Sequence, residues 1–86
     1  MTIQLTMAGR SYHVADDLPE CLVLPEGASL DDALQLLATL MPASAVLDRR
    51  CLVAVSGMHL GTVEKHRPKT LHDGDELLVL APVAGG

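Results

Sequence analysis

Hydrophobic and polar residues alternate at the beginning of the chain. In "TIQLTM" (residues 2–7) every second residue from Ile3 onward is apolar, a period of two that is typical of a strand with one buried face. The short apolar run "CLVL" begins at Cys21 and is followed by Pro25, where a strand cannot easily continue. The first third of the chain therefore predicts two strands.

The segment "SLDDALQLLATLMP" has the period of a helix. Ser29 is a candidate N-cap, and Asp32 three residues later completes the spacing of a capping box. Pro42 is expected to end the helix. The apolar residues fall at helical spacing and form one stripe, which comprises Leu30, Ala33, Leu34, Leu37, Ala38 and Met41.

Two or three further strands follow the helix. "CLVAV" (residues 51–55) is continuously apolar, which is typical of a strand covered on both faces. "MHLGT" is a shorter candidate strand, "VEKHRPKT" is expected to be a surface loop, and "HDGD" is typical of a tight turn. "ELLVL" (residues 76–80) predicts the last strand. Because the one long helix has only the sheet on which to bury its stripe, the pattern predicts a two-layer α+β domain.

Composition narrows the class of protein further. The chain has 86 residues, of which 49% are hydrophobic, but Tyr12 is its only aromatic residue, so aliphatic side chains must fill the core. A formal net charge of −5 disfavours nucleic acids and anionic membranes as partners and suits a basic protein surface. Since no apolar run reaches the length of a membrane span and the first residues lack the pattern of a signal peptide, we expect a cytoplasmic protein.

No group of residues has the spacing of a catalytic or metal site. The four histidines, which we expect at surface or turn positions, have no zinc-ligand spacing with one another or with a cysteine. Asp73, Asp75 and Glu76 lack the other positions of a calcium loop, so we interpret them as part of a turn. Cys21 and Cys51 are too far apart for a CxxC motif and are expected to be reduced thiols.

The chain closes on "LLVLAPVAGG", a strand followed by a glycine pair. Gly85 and Gly86 have no Cβ, so this end can thread a narrow channel and present an unhindered carboxylate. From Pro82 to Gly86 the segment reaches about 17 Å when it is fully extended. That length is sufficient to enter the active site of another protein.

The stretch "DGDELLVLAPVAGG", preceded by "CLVAVSG" and by a capped helix after two strands, resembles the MoaD/ThiS family of sulfur carriers. The resemblance is specific over residues 71–86. It implies a ubiquitin-like β-grasp fold, with a mixed sheet of four or five strands packed on one main helix. The β-grasp domain would then comprise residues 1–81, and a flexible tail would comprise residues 82–86.

The resemblance also implies how the tail is used. In that family an E1-like adenylyltransferase uses ATP to adenylate the terminal carboxylate, here that of Gly86, and sulfur from a donor replaces AMP to give a thiocarboxylate. Val83, Ala84 and Gly85 would be the slender stem that threads the partner, and Pro82 would end the strand. The chain itself would bind no cofactor and supply no catalytic side chain.

Within the family, "PVAGG" is most similar to the small subunit of molybdopterin synthase, which gives sulfur to a pterin precursor held by the large subunit. This similarity implies a role in molybdenum cofactor biosynthesis, although the small subunit usually has two prolines where this chain has Ala81-Pro82. Three alternatives stay open. They are a carrier that serves thiazole synthase in the thiamine pathway or another sulfur pathway, a ubiquitin-like modifier that forms isopeptide bonds with lysines, and a binding domain whose tail is inert.

Two structural expectations follow from the family. By register, Leu78 and Leu80 should point away from the helix, with Leu60 nearby, and form an exposed apolar surface for the partner protein. In a β-grasp sheet the first and last strands lie between the second and third. Cys21 and Cys51 should therefore lie beyond disulfide distance.

Overall fold

The computed structural model describes residues 1–8, 20–41 and 49–81. These residues contain five strands and one helix. Along the chain these elements are β1 (Thr2–Ala8), β2 (Cys21–Val23), α1 (Leu30–Leu40), β3 (Leu52–Val55), β4 (Met58–Thr62) and β5 (Glu76–Leu80). The sequence predicted this order, in which two strands precede the helix and the other strands follow it. The short "MHLGT" segment is a strand.

The strand order in the sheet is β2-β1-β5-β3-β4. β1 pairs in parallel with β5, with Leu5 opposite Leu77, whereas β2 is antiparallel to β1, and β3 is antiparallel to both β5 and β4. A parallel pair cannot be joined by a hairpin, so the chain crosses over the sheet between β1 and β5, and α1 lies in that connection. The mixed sheet and its helix confirm the predicted α+β, β-grasp architecture.

The two central strands place their core side chains under the helix. Ile3 on β1 and both Leu77 and Val79 on β5 are fully buried, as a period of two requires in a sheet with one covered face. From α1, Leu30 and Leu37 complete this layer. Each aliphatic side chain of this size stabilises the fold by about 1.5–3 kcal/mol relative to its exposed state. The described core is therefore stabilised by many aliphatic side chains, each of which contributes a few kcal/mol.

The helix begins as its sequence predicts. The Ser29 hydroxyl accepts the Asp32 N–H at 3.2 Å, and the Asp32 carboxylate accepts the Ser29 N–H at 2.9 Å, which is a capping box. The apolar stripe is narrower than predicted, because Ala38 is exposed and Met41 is only half-buried. Pro42, which we expected to end the helix, lies outside the described residues. Among the described residues, no helix has the length and apolarity needed to cross a membrane.

β3 is covered on one face only, so the expectation that both of its faces are buried is wrong. Val53 and Val55 are buried, but Leu52 is 39% exposed and Ala54 is half-buried. In the described part of the chain α1 packs on one face of the sheet and leaves the other face open. An unbroken apolar run does not distinguish a strand buried on both faces from one whose second face is apolar and exposed.

The two cysteines lie on different parts of the sheet. Cys21 is the first residue of β2 at one edge, and Cys51 immediately precedes β3. β1 and β5 lie between these two strands, and neither cysteine forms a disulfide. The predicted separation is confirmed.

Candidate functional site

The last strand delivers the C-terminal segment to one end of the sheet. Leu80, the final residue of β5, lies opposite Ala8 on β1 and Leu52 on β3. The next residue, Ala81, is buried, and its N–H donates to the Ala8 carbonyl at 2.8 Å. The backbone is therefore tied to the central strands as far as Ala81.

The predicted stem and reactive terminus lie outside the described residues. These positions are Pro82, Val83, Ala84, Gly85 and Gly86. Their roles stay predictions. The point from which this segment starts is fixed, because residue 82 directly follows Ala81, whose N–H is hydrogen-bonded to β1.

An exposed apolar surface lies beside that starting point. On β5, Leu78 and Leu80 are 37% and 38% exposed, in the orientation that the family register predicted. Leu52 on β3 lies directly opposite Leu80 and is also exposed. We name Leu52, Leu78 and Leu80 the outer apolar surface. Clusters of exposed apolar side chains on small proteins commonly mark interfaces, and this one is continuous with the strand that leads into the tail.

Leu52 was not predicted as part of the outer apolar surface, because the run 51–55 was interpreted as buried on both faces. A signal for it was present in the sequence. Neighbouring residues of a strand point to opposite faces, so in a two-layer fold one of the neighbours Leu52 and Val53 must face away from the helix.

Leu60 is not part of the outer apolar surface, so the prediction for this residue is wrong. Its side chain is only 5% exposed and packs in the core. The pairing of β3 with β4 shifts, so that Val53 lies opposite Gly61 whereas Ala54 lies opposite His59. A bulge of this kind places two residues of one strand opposite one of the other. Leu60 is the extra residue, and it is buried on the core side.

The acidic turn lies at the opposite end of β5 and has a structural role. The Asp73 carboxylate accepts the Thr2 N–H at 2.7 Å, which ties the turn to β1. The Asp75 carboxylate accepts the His72 N–H and the Ser56 hydroxyl, each at 2.8 Å. The bond from the His72 N–H, aided by that from Ser56, lowers the pKa of Asp75 against the opposing effect of burial. These contacts confirm the interpretation of the segment as a turn.

His66 is packed, in contrast to the expectation of a surface or turn position. Its side chain is 7% exposed, with Nε2 2.7 Å from the Asp31 carboxylate and Nδ1 2.8 Å from the Thr62 carbonyl oxygen. These contacts fasten the loop after β4 to the first turn of α1. In residues 1–8, 20–41 and 49–81, no three histidine, cysteine or acidic side chains are arranged to hold a metal ion.

A mixed five-stranded sheet with a capped helix in the connection between its two parallel strands defines a ubiquitin-like β-grasp protein. The outer apolar surface lies where the C-terminal segment leaves that sheet. The chain belongs to the ThiS family, and the match covers residues 9–86. Proteins of this family are sulfur carriers that work with an E1-like adenylyltransferase and a partner synthase. Among the curated proteins, none matches the chain.

Proposed function

We propose that this chain carries sulfur as a thiocarboxylate at Gly86 and donates it to a pterin precursor in the large subunit of molybdopterin synthase. The family match supports the carrier role. The "PVAGG" ending supports the molybdopterin pathway, because it is most similar to the small subunit of that enzyme. The observation that carries the proposal is the outer apolar surface beside the point where residues 82–86 leave the sheet.

The proposed chemistry begins with activation of the carboxylate. One oxygen of the Gly86 carboxylate attacks the α-phosphorus of ATP in the adenylyltransferase, and pyrophosphate leaves. A hydrosulfide-level sulfur that the donor has released then attacks the acyl carbon, the bond between that carbon and the AMP oxygen breaks, AMP leaves, and loss of the sulfur-bound proton gives the thiocarboxylate. Activation is needed because a carboxylate oxygen leaves poorly, whereas AMP leaves well. The partner supplies ATP and the sulfur donor.

This chain positions the acyl group that reacts. The hydrogen bond from Ala81 to Ala8 holds the base of the tail against the central strands, so docking of the outer apolar surface also fixes where Pro82 begins. From there Gly86 can lie up to about 17 Å away. Small residues at positions 84–86 let a partner enclose the segment closely on all sides.

The outer apolar surface alone does not explain a tight complex. Its three leucines are each between 37% and 39% exposed. Burying this exposed part against a partner contributes about 2–3 kcal/mol in total. A micromolar complex requires about 8 kcal/mol. The tail in its channel, together with attraction between the acidic chain and a basic partner, must supply the remainder.

Two reconstitutions test the proposal. The chain is first incubated with the E1-like adenylyltransferase, ATP and a sulfur donor, and its intact mass is measured; the carrier role requires the increase for one oxygen exchanged for sulfur. The product is then offered to the molybdopterin synthase large subunit with its pterin precursor, or to thiazole synthase with its substrates. Transfer to the pterin supports the pathway, and transfer in the thiazole reaction alone would retain the carrier role but overturn the pathway. Conjugates with lysines would indicate a modifier.

A further inference from the structure

The two edges of the sheet differ. At the β4 edge the following loop folds back on the strand, since the Thr62 N–H donates to the Lys65 carbonyl at 2.8 Å and the Arg67 N–H donates to the Leu60 carbonyl at 3.0 Å. The chain therefore covers much of its own β4 edge, which is one way in which proteins protect exposed strands.

In the described part of the chain, the backbone of β2 is open on the side away from β1. Leu24 exchanges hydrogen bonds with Met1, at 2.7 and 2.9 Å. In an antiparallel pair such bonded positions recur at every second residue, so the N–H and C=O groups of Cys21 and Val23 point away from β1. Within residues 1–8, 20–41 and 49–81, no group forms a hydrogen bond with them. This edge offers four backbone groups to another strand.

The side chains at this edge form a surface of their own. Val23 is 73% exposed, more than any other large hydrophobic side chain among the described residues. The exposed residues Glu20 and Glu26 flank the strand on either side. Val23 pairs with Thr2 at the start of β1, whereas Leu80 of the outer apolar surface lies opposite the end of β1. The exposed valine is therefore not part of the outer apolar surface.

A shallow cavity of about 350 Å³ opens at the Val23 end of β2. Glu26 and Asp73 line it, together with Met1, whose terminal ammonium donates to the Leu24 carbonyl. The lining also includes the His72 imidazole, and with that group neutral two carboxylates outweigh one ammonium group, so the net charge is negative. The negative charge at this end of β2, to which Glu26 contributes, favours a lysine or arginine in a strand that continues past Val23.

We propose that the open edge of β2 binds an extended segment of a partner protein as an added strand. The outward groups of Cys21 and Val23 supply the backbone hydrogen bonds of this mode of recognition. The segment has an apolar residue beside Val23 and a lysine or arginine at each end, facing Glu20 and Glu26. This interface goes beyond the sulfur-carrier role. Because it lies at the other end of β1 from the tail, it remains accessible while the tail reacts.

A synthetic peptide provides the test. The end-blocked peptide Lys-Val-Thr-Val-Thr-Val-Lys is titrated into the isotope-labelled chain, and amide shifts and hydrogen exchange are followed by NMR. We expect saturable shifts and slower exchange at the Cys21 and Val23 amides, and at least about tenfold weaker binding when glutamate replaces both lysines. Amides already protected without peptide would mean that the chain itself occupies the edge. Protection without peptide would overturn the proposal. So would the absence of any shift on titration, or shifts that are confined to the outer apolar surface.

Substitutions separate the edge from the rest of the molecule. Val23→Pro removes an N–H that points outward, so it removes no hydrogen bond to β1, and edge strands tolerate proline at such positions. Val23→Ile is the matched control, because it keeps the N–H donor. We expect Val23→Pro to weaken peptide binding about fivefold or more and Val23→Ile to bind like the wild type. Equal binding by all three proteins would overturn the proposal.

Charge reversal gives a test that does not depend on proline. The double variant Glu20→Lys, Glu26→Lys changes exposed side chains only. It should bind the glutamate peptide more tightly than the lysine peptide, which is the reverse of the wild-type preference. An unchanged preference would contradict the proposed segment. ATP-dependent activation of Gly86 should be the same in every variant, so failure at this edge is distinguishable from failure of the sulfur-carrier function.

Discussion

At the scale of single residues, Asp75 fixes the beginning of β5. Its carboxylate joins the His72 N–H to the Ser56 hydroxyl, and the Ser56 N–H in turn donates to the Glu76 carbonyl at 2.7 Å. Ser56 has a positive φ of 48°, an uncommon conformation for a residue with a side chain. The hydrogen bonds to β5 hold it there. The lowered pKa of Asp75 means that the ionised carboxylate stabilises the folded state.

Replacing Asp75 with asparagine should lower the free energy of unfolding near neutral pH by about 1 kcal/mol, because a charged acceptor becomes neutral. The carboxylate contributes fully above its ordinary pKa of 3.8, and its contribution is lost as the pH falls through the lower pKa of the folded state. In urea unfolding, the difference between the two proteins should therefore shrink in acid. Glu64→Gln, at an exposed ion pair with Arg49, is the control and should have little effect. A difference independent of pH would contradict this role.

At the scale of elements, β5 uses its two faces for different purposes. Leu77 and Val79 are buried under the helix, whereas Leu78 and Leu80 face away from it. The same strand therefore contributes both to the stability of the fold and to the surface that we propose as the partner interface. Substitutions on the two faces should separate these contributions.

Leu80→Glu should leave the melting temperature nearly unchanged, because Leu80 is already partly exposed, but it should weaken binding to the adenylyltransferase about tenfold or more. The matched substitution Val79→Glu buries a charge and should prevent folding. Thermal unfolding and titration calorimetry measure the two effects. If Leu80→Glu unfolds the domain, or binds as tightly as the wild type, Leu80 does not have the role proposed for it.

The elements also differ in how far the sequence determines them. The helix was predictable because its capping box and stripe are local signals. The burial of Leu60 was not, because it depends on a bulge in the pairing of β3 with β4, and the packing of His66 depends on Asp31, 35 residues earlier. A single sequence does not show which distant segments become neighbours. The outward orientation of Leu78 and Leu80 was predicted from the family register rather than from periodicity alone.

At the scale of the whole molecule, the two ends of the sheet have different properties. One end holds the outer apolar surface and the start of the tail, and the other holds the acidic turn and the exposed Val23. The parallel pair β1 and β5 connects the two ends through the centre of the sheet. Because residues 82–86 come after the hydrogen bond from Ala81 to Ala8, substitutions in them should affect the reaction and leave domain stability unchanged.

Gly85→Val tests whether the tail passes through a narrow channel. A branched side chain at this position adds bulk and restricts φ, so ATP-dependent activation should fall at least about tenfold, by analogy with the loss of other closely packed contacts. Ala84→Gly adds no bulk and is the control that should retain activity. Both variants should melt at the wild-type temperature. Full activity of Gly85→Val would argue against an enclosed stem.

The central claim is that the terminal carboxylate of Gly86 is the reactive group. ATP–pyrophosphate exchange with the cognate adenylyltransferase tests it most directly, with the wild-type chain, a chain carrying one alanine after Gly86, and a chain lacking Gly86. We expect exchange with the wild type and none above background with either variant, because both changes move the acid out of register with the active site. All three proteins should unfold at the same temperature. Equal activation of the extended chain would contradict the claim.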